Sequence, residues 1–96
     1  MLLRYIGFKL QARGRDYAYQ AVGPRDETRE FVLTISNHAF IARQIPYQDG
    51  ADICYQKLRK ELDAETPELR LKPHFTISDQ ELDAYREKYR PVKRRG

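Results

Sequence analysis

Three runs in the first third of the chain put apolar residues on every second position, and that period decides the class of fold. Ile6, Phe8, Leu10 and Ala12 alternate with Gly7, Lys9 and Gln11. Tyr17, Tyr19 and Ala21 alternate with Ala18, Gln20 and Val22, and Phe31, Leu33 and Ile35 alternate with Val32 and Thr34. Successive side chains of a strand point to opposite faces, so each run predicts a strand with one face turned inward. Arg13-Gly14-Arg15 separates the first two as a short turn centred on glycine, and Gly23-Pro24-Arg25-Asp26-Glu27 separates the second from the third. Three strands joined by short turns make an antiparallel meander.

After Ile35 the period changes. Ser36 and Asn37 can cap a short helix running through His38 to about Arg43, and Ile45 must be extended because Pro46 follows it. Cys54, Leu58 and Leu62 then recur four apart, with Ile53 and Tyr55 widening the stripe and Lys57, Arg59, Lys60, Glu61 and Asp63 covering the other face. This is a helix near 50–64 laid on a sheet, with Asp49 as its expected cap and Thr66-Pro67 beyond its end. Ser78-Asp79-Gln80-Glu81 reads as a capping box, with Ile77 placed to staple against Leu82. It opens a second helix near 79–90 that Pro91 stops. His74 to Ile77 has room for a fourth short strand, and Pro73 keeps such a strand at an edge.

The expectation is therefore one α+β domain over residues 1–90: a three-stranded antiparallel meander, with a fourth edge strand near 74–77, packed by the two helices. Residues 91–96 form a basic tail expected to be flexible. The length of 96 residues suits one core and not two. A charged fraction of 33% with mixed sign and an apolar fraction of 41% exclude a disordered chain. The single cysteine, Cys54, excludes an internal disulfide and a Cys-x-x-Cys pair, which favours a reducing, cytoplasmic location. Leu2, Leu3, Ile6 and Phe8 are interrupted by Arg4, Gly7 and Lys9, so the start does not read as a signal peptide, and no run is long enough to span a membrane.

The formal charge of +4 is unevenly placed. Residues 1–85 carry twelve Lys or Arg against thirteen Asp or Glu, whereas residues 86–96 carry six against one. Basicity concentrated beyond the last helix gives a weak electrostatic case for a nucleic-acid groove on the folded part.

No residue pattern implies catalysis or a cofactor. Cys54 shares the apolar face of its helix with Leu58 and Leu62, as a packed, inert thiol would. His38 and His74 belong to no ligand spacing, so no metal site is expected. The string Tyr47-Gln48-Asp49-Gly50-Ala51-Asp52 leads into a helix N-terminus, but its two carboxylates would repel an anion. What remains are contact residues. Arg13, Arg15, Tyr17 and Tyr19 on the sheet and its first turn, with Lys93, Arg94 and Arg95 in the tail, are the candidates for touching a partner. The sequence thus points first to a small non-enzymatic accessory or protein-interaction domain, binding an unknown protein or itself through a sheet edge or a tyrosine-bearing surface. The second reading is a nucleic-acid-binding regulator using the sheet, the 13–15 turn and the tail.

Overall fold

The computed structural model describes residues 2–43 and 45–89; Lys93, Arg94 and Arg95, with the rest of the basic tail, lie outside the described residues. The three period-two runs become β1 (Leu2–Leu10), β2 (Gly14–Val22) and β3 (Thr28–Ser36). They pair antiparallel in sequence order. A short helix α1 (Asn37–Ala42) and a single 3-10 turn (Tyr47–Asp49) lead into the long helix α2 (Gly50–Ala64). The chain then forms β4 (His74–Thr76) and ends its described part in α3 (Asp79–Tyr89). No helix among the described residues is long and apolar enough to cross a membrane.

β4 lies where a short edge strand was expected, and its direction makes the sheet mixed: Val32 to Thr34 pair with His74 to Thr76 in parallel. A parallel neighbour needs a long crossover, and residues 37–73, with α1 and α2, provide it. The Val32 N–H donates to the Pro73 carbonyl at 2.8 Å and the Ile77 N–H to Thr34 at 2.9 Å, so the pairing runs just past both ends of the strand. Pro73 contributes only its carbonyl there, as a residue without an N–H can.

One face of the sheet carries the core. Tyr17, Tyr19 and Ala21 of β2 and Phe31, Leu33 and Ile35 of β3 are buried with Ile53, Cys54, Leu58 and Leu62 of α2. The stripe spaced four apart in the sequence is thus the buried face of α2. Ile77 and Leu82 join the same cluster, as the staple requires. Burying side chains of this size stabilises by roughly 1.5–3 kcal/mol each, before the entropy of ordering them is counted.

The helix ends follow local chemistry with one exception. Ser36 caps α1 by accepting from the Ala39 N–H at 3.0 Å. Ser78 and Glu81 make the reciprocal bonds of a capping box, at 2.8 Å and 3.2 Å, so α3 starts where the sequence places it. Asp49 differs from expectation: it is already in the helical region, at φ −80° and ψ −12°, and makes no side-chain capping bond. The 3-10 turn before it winds directly into α2, so the chain enters the helix without the extended residue that a side-chain cap needs.

Gly14 also departs from its expected role. It is the first residue of β2, facing Ser36 across the ladder, and not the centre of a turn. A Cβ there would stand 2.5 Å from the Ile35 carbonyl oxygen, so glycine is present for close backbone approach. The turn itself is Gln11 to Arg13, closed by the Gln11 N–H donating to the Gly14 carbonyl at 2.8 Å.

Candidate interaction surface

Among the described residues β1 is a terminal strand of the sheet, with β2 on one side only. Its alternation is not the simple one read from Ile6, Phe8, Leu10 and Ala12. Tyr5 pairs with Tyr19 and Gly7 with Ala18, which leaves Ile6 as the extra residue of a β-bulge. Because of that shift Leu3, Tyr5, Phe8 and Leu10 fall opposite Ala21, Tyr19, Tyr17 and Arg15, on the helix-bearing face, while Arg4 and Lys9 fall opposite Gln20 and Asp16 on the other. Gly7 holds the bulge at φ 155°, a conformation that L side chains rarely adopt, with open space where a Cβ would be. Gly7→Ala is therefore expected to cost about 1 kcal/mol through backbone strain, read as a lowered urea midpoint with unchanged slope.

Only Leu3 of this row is buried. Tyr5 is 43% exposed, Phe8 52% and Leu10 65%, and Leu2 and Ile6 are exposed as well. Five of the nine residues of β1 are thus large apolar side chains in contact with water. α2 packs against β1 as well as β2 and β3, yet it leaves these side chains only partly covered. Tyr5 packs at a tilt on Tyr19, centroids 5.3 Å apart, and Phe8 on Tyr17 at 5.9 Å, so the exposed rings are held against the core from one side.

The residues singled out by sequence separate into two groups. Tyr17 and Tyr19 are 2% and 1% exposed, because the inward face of β2 lies under α2, so neither ring is available for a partner to stack upon. Both hydroxyls instead reach the start of α2. Tyr19 donates to the Ala51 carbonyl, and the Tyr17 hydroxyl sits against Gly50, where a Cβ would overlap it. Burial raises the pKa of both; for Tyr17 it reaches about 12 even though the nearby Arg15 charge opposes the rise.

Arg13 and Arg15 stay at the surface. Arg13 is exposed, and its carbonyl accepts from the Asn37 N–H at 2.8 Å. Arg15 is half-buried between two rings, with its guanidinium carbon 4.1 Å from the Tyr47 centroid and 5.1 Å from that of Phe8. Tyr47 in turn packs on Phe40 at 4.8 Å. A planar cation between two aromatic faces is ordered by stacking, and it joins the β1 strip to the turn before α2. Sequence reasoning named Arg15 but missed Phe8 and Leu10 as surface residues. Their alternation was visible; the absence of a cover over them was not.

Three other places were candidates for chemistry. On the sheet face away from the helices, Thr34 donates to Asp16 at 2.6 Å and bonds the His74 Nε2 at 2.8 Å, while Gln11 donates to the other Asp16 oxygen at 3.1 Å. Since the hydroxyl proton is given to Asp16, His74 is the donor to Thr34, which ties β2, β3 and β4 together. Among the described residues no group of three His, Cys, Asp or Glu could hold a metal.

Cys54 is fully buried, and burial pushes its thiol pKa far up. A maleimide or disulfide reagent is therefore expected to label the native protein no faster than it unfolds, and the urea-unfolded chain at the rate of a free thiol.

The third is an open groove of about 520 Å³ between α2 and α3, lined in part by Tyr55, Lys60, Ala84 and Tyr85. It is bridged by Lys57, which pairs with Glu61 at 2.9 Å and with Glu81, and by Tyr85, which donates to Asp52 at 2.9 Å. These bonds hold one helix to the other and give Lys57, Glu81 and Tyr85, three of the groove's polar groups, a structural role.

No protein family, curated protein or solved structure matches this chain.

Proposed function

We propose that the chain is a non-enzymatic interaction domain in a reducing, cytoplasmic setting, and that it binds another protein chain through β1. The observation that supports the reading is the apolar strip on a free sheet edge: Tyr5, Phe8 and Leu10 in a row, with Leu2 and Ile6 beside them. Unpaired edges that carry exposed apolar side chains are templates for a further strand, and folded monomers ordinarily blunt them with charge, bulges or cover. Here the bulge at Ile6 is such a device, and it leaves the apolar row on both sides of it exposed.

The test places a photo-crosslinking phenylalanine analogue at position 8, and at Gln80 on α3 as a control, and joins that to sedimentation of the purified chain. The expected result is a discrete adduct specific to position 8, or self-association that Phe8→Glu with Leu10→Glu abolishes without loss of helical and sheet content. A chain that stays monomeric at high concentration and crosslinks identically from both positions would refute the reading.

A second reading rests on a separate observation. Arg4, Lys9, Arg13 and Arg15 are the only charged residues in the first fifteen, and exposed rings lie among them, which is the chemistry that holds single-stranded nucleic acid. It predicts binding whose affinity falls steeply with salt, by close to one unit of log–log slope for each phosphate neutralised.

A further inference from the structure

We propose that the outer edge of β1 takes an extended segment of a different protein as a fifth strand, one that alternates apolar and acidic side chains. The inference rests on the reading of β1 as an interaction surface and names the chemistry of its occupant. Two rows run along the strand. On the helix side stand Tyr5, Phe8 and Leu10, exposed and apolar; on the other side stand Arg4 and Lys9, exposed and cationic. A strand laid beside β1 projects its own side chains alternately to the same two sides, so apolar residues meet the first row and acidic residues the second.

The charge along β1 selects the occupant. No acidic residue precedes Asp16, and among the described residues no ion pair holds Arg4, Lys9 or Arg13. Asp16 lies across from Lys9, but its two carboxylate oxygens are taken by Thr34 and Gln11. A second copy of the chain fits less well. In antiparallel self-pairing the apolar rows match only when Tyr5 faces Phe8 and Leu3 faces Leu10 of the other copy; that register puts Arg4 opposite Lys9 twice. Like charges directly opposite on a sheet destabilise it. An acidic strand satisfies both rows at once.

The experiment uses the full chain and four probes: a capped eight-residue peptide alternating valine and glutamate, the same peptide with lysine for glutamate, the valine–glutamate peptide N-methylated at alternate residues, and a mixed-sequence single-stranded oligonucleotide. Backbone amide shifts and anisotropy are the readouts. The valine–glutamate peptide is expected to move the amides of residues 2–10, to bind at least about tenfold more tightly than the lysine form, and to lose binding on N-methylation of one edge. Arg4→Glu with Lys9→Glu, both at exposed positions, should reverse the preference between the two peptides. Equal binding of both peptides, or no binding of either, overturns the inference. If that happens while the position-8 crosslink remains specific, the interaction surface stands and only its acidic, strand-adding occupant falls. Oligonucleotide binding on the β1 amides tighter than the peptide's overturns it in favour of nucleic acid.

Discussion

Alanine in place of Gly50 is expected to lower the unfolding free energy by about 2 kcal/mol, although alanine is the better helix former. Gly50 opens α2 with φ −57° and ψ −44°, an ordinary right-handed conformation, so propensity alone would favour alanine by roughly 1 kcal/mol. Sterics decide the sign. The added Cβ would overlap the Tyr17 hydroxyl, and that ring is buried in the core with no room to swing aside. Overpacking of a tight core costs about 1–3 kcal/mol, and the overlap here is severe enough to belong at the upper end.

The control is Tyr17→Phe. Among the described residues the buried Tyr17 hydroxyl has no hydrogen-bond partner at regular geometry, only the Arg15 charge nearby, so removing it should leave stability unchanged or slightly raised. In that background Gly50→Ala should recover only part of its cost, because the ring carbon Cζ would still overlap the added Cβ, so the two substitutions are expected to couple by about 1 kcal/mol in a double-mutant cycle. Tyr19→Phe behaves differently, because it removes the donor to the Ala51 carbonyl, and about 1 kcal/mol should be lost. Strict additivity of Gly50→Ala and Tyr17→Phe in urea unfolding would show that the hydroxyl takes no part in the clash.

Glu65→Ala is expected to destabilise by about 2 kcal/mol at pH 7, the other large effect. Glu65 ends α2 and receives both guanidinium nitrogens of Arg29 on β3 at 2.8 Å, while one of its oxygens also accepts the Leu71 N–H at 2.8 Å. It therefore fastens the connection between α2 and β4 onto the sheet. The carboxylate is largely buried and the guanidinium, which lies over Phe31, somewhat less so. A two-bond arginine–carboxylate pair of this kind is worth more than a surface ion pair, but part of it is screened by water.

The same pair makes stability depend on pH. The bonds from Arg29, and then that from Leu71, hold the Glu65 carboxyl at about 2 in the folded chain, below its ordinary value of 4.5. A depressed carboxylate stabilises fully above the unfolded value and loses that contribution as the pH falls toward the folded one, so the loss should run from about pH 4.5 down to about 2. Glu65→Gln should flatten most of this slope in urea titrations at pH 7, 4.5 and 3. A shallower slope should remain from Glu81, whose burial would raise its pKa but whose bonds to Lys57 and Ser78 lower it overall. An unchanged acid slope in Glu65→Gln would mean that the pair does not form in solution.

How much of this was legible in the sequence differs by element. The capping box at Ser78 and Glu81 and the cap at Ser36 were readable because each is a bond between residues three apart. The stripe of Cys54, Leu58 and Leu62 was readable because helical period reports which face is apolar. The β1 bulge was not, since Ile6, Phe8 and Leu10 alternate in sequence whether or not one residue is looped out of the ladder. Gly14 resembled a turn glycine because only the approach of Ile35 from another strand reveals its need for space. Glu65 gave no sign of its role, its partner Arg29 being 36 residues away.

By itself the sequence determined the three-stranded meander, the two long helices and the inward faces of β3 and α2, because periodicity and capping are short-range and each follows from neighbouring residues alone. Tertiary structure decided that β4 runs parallel to β3, that Tyr17 and Tyr19 are core and not contact surface, and that the apolar row of β1 stands open. A pattern of side chains states which face of an element is apolar. How fully that face is covered depends on where a distant helix comes to lie, and although α2 touches β1, only Leu3 of its apolar row is buried.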